Sequence, residues 1–294
     1  MSRTEYSTGN SKDFQFNPNG ALWKVSRERM ILLGGSSALL TQLAYPPVAE
    51  ALRHTGRLES HPVDRLRTNA TSGFNLIFGT VEGNARINAG INAIHQDPDL
   101  KLQITEDVGA WKKGAHFSPR TQEGLGLVGA TLIEGSVEGY QTFVGPLSEA
   151  ERDSYTDEAK TLFEGMGLRR ESLPNTYDGV REHIEDMALD DVLAVGRIAR
   201  ELAPYTMLAH SKLPAFLKEA MRLFTMDLLN SKLRDQYGFK ITRGERKAVR
   251  RRAEHIRAAV PHMPDVVRYN PQFRKARKEL NRQEFDPEDL VRPF

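Results

Sequence analysis

Nearly the whole chain consists of segments in which apolar residues recur every three or four positions, the spacing of an amphipathic helix. In residues 64–78, for example, Leu66, Phe74 and Ile77 fall near one face, and Gly79 follows as a C-cap. The alternation typical of a strand is confined to residues 101–104. Helices are predicted over residues 23–34, 37–45, 48–54, 64–78, 81–95, 123–144, 148–166, 177–189, 190–202, 214–229 and 242–260.

This pattern predicts an all-α fold with a single domain. No internal repeat, low-complexity tract or strong linker divides the chain, so residues 21–294 are expected to form one multi-helix domain. Residues 1–20 are polar and end in the turn-forming sequence Asn17-Pro18-Asn19-Gly20, which predicts a flexible N-terminal arm.

Composition narrows the function classes. The chain has 294 residues, with 41 Lys and Arg against 39 Asp and Glu, a net charge of +2. This balance, with 39% hydrophobic residues, argues against a disordered chain and predicts no nucleic-acid partner. The absence of cysteine excludes disulfides, iron–sulfur clusters, zinc–thiolate sites and a thiol nucleophile.

The absence of cysteine, the N-terminal sequence and the most apolar stretch also predict the cellular compartment. A chain without cysteine fits a reducing cytoplasm, and the N-terminus has no apolar core of a secretory signal. The most apolar stretch, residues 30–52, is interrupted by Gly34, Gly35, Gln42 and a Pro46–Pro47 pair. It is therefore predicted to be buried helix rather than a membrane span, and the protein is expected to be cytoplasmic.

Common catalytic motifs are absent, and the remaining candidates are carboxylates and histidines. The sequence has no GxGxxG after a strand, no GxxxxGK[ST], no GxSxG and no HExxH. Glu50 and His54 are four residues apart, as are Glu134 and Glu138, a spacing that suits either inward iron ligands or exposed charge pairs. His95, on a partly apolar helix face, is either a metal or haem ligand or a packed histidine.

Two basic clusters also have alternative readings. Arg65, Arg67, Thr68, Asn69 and Thr71 could hold a propionate, a phosphate or dioxygen, or could cap and solvate a helix N-terminus. Residues 243–257, RGERKAVRRRAEHIR, are the densest basic run, and could contact nucleic acid or an anionic membrane. They lack interleaved aromatic residues, which favours a solvated helix face.

The order of several segments resembles one family, the mpaB-type oxygenase and rubber oxygenase (latex clearing protein) catalytic domain. The similarity covers roughly residues 20–190. The segments are WKVSRERMILLGGSSALLTQLAYPPVA (residues 23–49), PVDRLRT (62–68), Phe78-Gly79, the lone His95, VGATL (128–132) and VGPLSEAER (144–152).

The resemblance implies a helical domain that encloses a haem b pocket, with His95 as the proximal iron ligand. Dioxygen or peroxide would be the oxidant and a hydrophobic small molecule the substrate. The glycines of residues 124–139, Gly129 among them, are expected to leave room for the flat macrocycle, and Leu132 is expected to line its apolar wall.

The family's distal residues fall on the stretch that begins at Arg65. Arg65 or Arg67 would donate hydrogen bonds to bound oxygen or a propionate, and the lysine and threonine of rubber oxygenases become Thr68 and Asn69. Glu50 corresponds to the catalytic glutamate and would take a proton from a substrate carbon, and His54 would tune or relay that proton.

Departures from the family pattern keep two alternatives open. The distal lysine is missing, and Gly129 stands where many members have Trp or His. One alternative is a non-haem iron oxidase that uses carboxylates and a histidine. The other is a non-catalytic binding protein with the same helical fold. The candidate ligands of the non-haem site are Glu50, His54, Glu134, Glu138 and Glu182.

Overall fold

A computed structural model describes residues 13–95, 102–118, 121–207 and 214–283. This part of the chain contains 15 α-helices, of which one is central, and a two-stranded antiparallel sheet is the only sheet, so the all-α prediction is confirmed. The elements are α1 (Ala21–Ser26), α2 (Leu32–Leu43), α3 (Pro46–Thr55), α4 (Arg57–Ser60), α5 (Pro62–Phe78), α6 (Val81–His95), β1 (Leu102–Gln103), β2 (His116–Phe117), α7 (Gln122–Phe143), α8 (Glu149–Glu164), α9 (Tyr177–Leu189), α10 (Arg197–Thr206), α11 (Ala215–Leu228), α12 (Ser231–Gln236), α13 (Arg243–Ala259), α14 (Asp265–Arg268) and α15 (Pro271–Gln283).

Helix α7 is the centre of the domain, and α2 packs along it more extensively than any other helix. Small residues allow this close approach: a Cβ added at Gly34 would lie 2.2 Å from the carbonyl oxygen of Gly135. One added at Gly139 would lie 2.9 Å from the carbonyl oxygen of Ile31. Helices α8, α9 and α13 pack on the other sides of α7, which leaves it largely buried.

The N-terminal segment is packed from its first described residues. Phe14 and Phe16 are buried, and Phe14 meets the ring of Trp23 edge-on at 5.5 Å. Trp23 in turn contacts Phe78 of α5 and Phe273 of α15, so one aromatic cluster joins the first and the last described segments. Phe14 and Phe16 are therefore part of the core, although Asp13, Asn17 and Asn19 beside them are exposed. The rest of the predicted arm, residues 1–12, lies outside the described residues.

Several predicted boundaries are exact, and others are wrong. Val81–His95 and Tyr177–Leu189 form helices with the predicted ends, and Ser148 and Glu151 form the predicted capping box. Gly34 and Gly35 do not end a helix, however. They lie inside the first turns of α2, where the missing side chain of Gly34 gives α7 room.

The prediction of a helix over residues 190–202 is also wrong for the first half of this segment. Asp191 has a positive φ of 57°, and the chain runs as a connection until α10 begins at Arg197. Tertiary hydrogen bonds hold this connection, including one from the amide of Ala194 to the carbonyl of Ala44 (2.7 Å). Helices α4, α12, α14 and α15 were not predicted.

Within the described ranges, none of the helices combines the length and the apolar character that crossing a bilayer requires.

Candidate functional site

Glu50 lies in the second turn of α3, a helix that begins with Pro46 at its first position. The carboxylate is buried, and its Oε1 accepts hydrogen bonds from the amide (2.7 Å) and hydroxyl (2.6 Å) of Thr105. The adjacent cavity, lined in part by Glu106 and Ile198, measures only about 10 Å³. Glu50 therefore ties α3 to the β1–β2 segment, and His54, one turn later, is exposed.

The candidates on α5 lie near the start of that helix, which has Pro62 at its first position. Arg67 is 76% exposed and pairs with Asp64 at 3.0 Å, and Thr68 is also exposed. Arg65 is half-buried. Arg67 and Glu50 thus have separate partners, and the structure does not bring these two side chains together.

His95 is the last residue of α6, as predicted, and its side chain lies outside the described residues. The preceding turns run past the C-terminal end of α8. There the side-chain amide of Asn92 donates to the carbonyl of Gly165 at 3.5 Å, and a Cβ on Gly165 would meet Asn88 at 2.3 Å. Asn84, at the start of α6, is buried and donates to the carbonyl of Leu76 in α5. Helix α6 is thus anchored by asparagines at both ends.

Gly129 of α7 is covered by protein atoms. A Cβ at this position would meet Phe163 at 3.2 Å and Leu173 at 3.1 Å, and the surfaces of Gly135 and Gly139 face α2. The expectation that these glycines leave open space is therefore wrong, because neighbouring helices use them for close packing. That Gly129 contacts a cofactor stays a prediction.

The C-terminal end of α8 nevertheless contacts two of the regions that were predicted to hold the cofactor. Phe163 touches Gly129 of α7, and Gly165, two residues later, touches Asn88 and Asn92 of α6. The turn of α7 that holds Gly129 and the turns of α6 that precede His95 therefore flank the same short stretch of α8.

The described residues of α6 and α7 fit haem b in chemical type. Ile87 and Ile91 on α6 are half-buried, as is Val128 on α7, and Leu132 is 40% exposed. A Cβ added at Gly90 of α6 would meet no atom within 4 Å. Incompletely covered apolar helix faces are the surface that a porphyrin requires, and imidazole is a common haem ligand.

The alternative iron site is not formed. Among the residues that the structure describes, no three His, Asp or Glu side chains come together as a metal-binding group. Glu182 is exposed on α9, and Glu50 is committed to Thr105. The prediction of a non-haem site is therefore wrong for this part of the chain, because the spacing of ligands within one helix did not determine which helices meet.

One predicted carboxylate pair has an unforeseen partner. The hydroxyl of Tyr177, at the start of α9, donates to Oε1 of Glu138 at 2.6 Å. Burial, followed by the charge of Glu138, raises the pKa of Glu134 to about 7. Burial also raises the pKa of Tyr177, so its hydroxyl keeps the proton that it donates to Glu138. Glu138 and Tyr177 are 39 positions apart in the sequence, and no sequence pattern indicated this contact.

A buried lysine is a second feature that the sequence did not reveal. Lys160 of α8 is fully buried, and its Nζ donates to the carbonyl of Leu173 (3.0 Å) and Oδ1 of Asn175 (2.7 Å). Burial lowers the pKa of Lys160. It lies beside an open groove of about 670 Å³ that Arg170 and His183 also line. Since backbone and amide oxygens hold the ammonium group, Lys160 serves to fix the 173–175 loop.

Comparison with known proteins gives one match. A family model described as "ER-bound oxygenase mpaB/B'/Rubber oxygenase, catalytic domain" matches residues 23–260, which includes every element from α2 to α13. No curated protein and no solved structure matches the chain.

Proposed function

Since the chain belongs to the family of mpaB-type and rubber oxygenase catalytic domains, we propose that it is a haem b-dependent oxygenase acting on a hydrophobic small molecule. The match to residues 23–260 carries this proposal, because it makes the chain a member of an oxygenase family over most of its length. His95 is the proposed proximal iron ligand. Haem, when bound, supplies an iron centre that activates dioxygen or peroxide.

The chain's own residues would bind and enclose the cofactor and substrate. Ile87 and Ile91 on α6, with Val128 and Leu132 on α7, offer apolar side chains that are not fully covered. Such side chains exclude water and favour an apolar substrate. Half-buried Arg65 would hold a haem propionate through charge-assisted hydrogen bonds.

The hydrogen bonds that Glu50 already accepts limit how it could act as a proton acceptor. Its Oε1 already accepts two hydrogen bonds from Thr105, so it could receive a substrate proton only through its other oxygen or after that contact opens. His54 is exposed one helical turn away, where it could exchange a proton with solvent. These roles for Glu50 and His54 stay predictions.

An absorption spectrum of the full chain, expressed with ample iron and haem precursor, tests the proposal. We expect a Soret band that shifts on reduction and on addition of carbon monoxide. His95→Ala should lose the band while its circular dichroism stays helical. The matched control is His255→Ala, which removes an exposed histidine from α13 and should leave the band unchanged.

A cavity variant separates loss of the ligand from loss of the fold. His95→Gly supplied with free imidazole should regain part of the Soret band, because the added ring can replace the missing donor. Colourless wild-type protein, or a His95→Ala variant with an unaltered spectrum, would refute the assignment of haem to this histidine.

A further inference from the structure

The charge of the chain is strongly polarised. Residues 240–283 carry fourteen Lys and Arg against four Asp and Glu, a net charge of +10, although the whole chain carries only +2. The remainder is therefore acidic, at −8. Such asymmetry is typical of a protein that presents one basic side to an anionic partner.

Helix α13 displays much of this charge on one face. Its buried stripe includes Val249 and Ala253, which pack with Phe143 of α7 and Phe224 of α11. The opposite side exposes four cations at helical spacing, with one carboxylate, Glu254, among them. We call the four cations the basic face; they are Arg243, Lys247, Arg250 and Arg251.

Most cations of the basic face are not neutralised within the protein. Arg250 is 69% exposed and lies 3.8 Å from Asp227, a carboxylate that Arg246 approaches more closely, at 3.4 Å. In the part of the chain that the structure describes, no ion pair is formed by Arg243, Lys247 or Arg251. Their side chains are thus available to an external anion.

The neighbouring chain favours a lipid surface over a nucleic acid. Val266 and Val267 of α14, which follows α13 after a short turn, are 56% and 48% exposed. These exposed valines belong to the same basic stretch of the sequence, residues 240–283, and suit a membrane interface, where apolar side chains enter the headgroup boundary. The basic face also lacks aromatic residues on which nucleic-acid bases could stack.

From this charge complementarity we propose that the basic face of α13 docks the protein on a bilayer that contains acidic phospholipids. The contact is peripheral, and cations near such a surface attract it through its negative potential. Val266 and Val267 add an apolar contribution to the same docking.

Co-sedimentation of the full chain with vesicles tests this. The protein should bind vesicles of phosphatidylserine and phosphatidylcholine at low salt, bind pure phosphatidylcholine weakly, and dissociate as salt screens the charges. The triple variant R243E/K247E/R251E should bind at least ~100-fold more weakly, since each cation near the surface contributes about fivefold and the reversed charges add repulsion. A neutralised variant, R243Q/K247Q/R251Q, should show a smaller loss.

Two controls make the result specific. K112E/K113E/R169E makes the same change in net charge at exposed cations elsewhere and should keep vesicle binding. V266S/V267S should weaken the binding that remains at higher salt. Three results would each overturn the proposal. They are an equal loss of vesicle binding in the K112E/K113E/R169E control, equal binding of the wild type to neutral vesicles, and tighter binding of the wild type to duplex DNA than to the vesicles.

Discussion

The crossing of α2 and α7 gives a sharp prediction, because two adjacent glycines on α2 differ in what surrounds them. A Cβ at Gly34 would lie 2.2 Å from the carbonyl oxygen of Gly135 and 3.4 Å from Cα of Gly139. Both are backbone atoms of a helix, so no side-chain rotation can relieve the overlap. A Cβ at Gly35 would meet no atom within 4 Å.

The expected magnitudes follow from these distances. Overpacking of a helix crossing costs ~3 kcal/mol at the upper end of its usual range, and Ala gains ~1 kcal/mol over Gly in helix propensity. Gly34→Ala should therefore lower the free energy of unfolding by about 2 kcal/mol. Gly35→Ala, which keeps only the propensity gain, should raise it by ~0.5–1 kcal/mol.

Urea unfolding of both variants and the wild type measures these free energies of unfolding. The two variants should change in opposite directions and differ from each other by about 3 kcal/mol. In a thermal melt, the melting temperature of Gly34→Ala should lie about 3 °C below that of the wild type. Equal stabilities of Gly34→Ala and Gly35→Ala would show that the two helices do not cross at Gly34, and the reasoning would then be refuted.

Two further predictions concern buried charge. Because burial and then Glu138 raise the pKa of Glu134 from 4.5 to about 7, stability should fall by roughly 3 kcal/mol as pH rises through that window. Glu134→Gln should abolish this slope in urea unfolding performed below and above it. Glu28 is fully buried, and both its oxygens accept from Arg268, with Nη2 at 2.7 Å. Arg268→Met would leave Glu28 with Arg27 alone, whose Nε lies 3.5 Å from Oε1, and should cost about 3 kcal/mol. Adding Glu28→Gln should restore much of the loss if the poorly compensated charge is the cause.

Signals contained within a few residues predicted much of the fold. The Ser148–Glu151 capping box depends on groups three positions apart, and Pro46 at the start of α3 acts through its own ring. Such features act before tertiary structure forms. For that reason the sequence was sufficient for the ends of Val81–His95 and for an all-α domain.

Contacts between distant segments account for the errors. Gly34 and Gly35 indicate a helix end by propensity alone, yet the position of Gly34 is decided by a helix a hundred residues later. The partner of Glu50 is Thr105, 55 residues away, and no spacing rule connects them. Sequence patterns could therefore name candidate site residues, whereas tertiary packing decides which of them meet.

The two proposals concern opposite ends of α7. Helix α13 packs on its C-terminal end, where Nη2 of Arg257 donates to the carbonyl of Thr142 at 3.1 Å and Phe143 joins the cluster beneath the basic face. Gly129 and Leu132 lie in the N-terminal half, and the distance from Gly129 to Phe143 is about 20 Å along the helix axis. A bilayer held by α13 would therefore orient the domain without touching the predicted cofactor positions on α7. Because the two sites share no described side chain, either proposal can fail while the other stands.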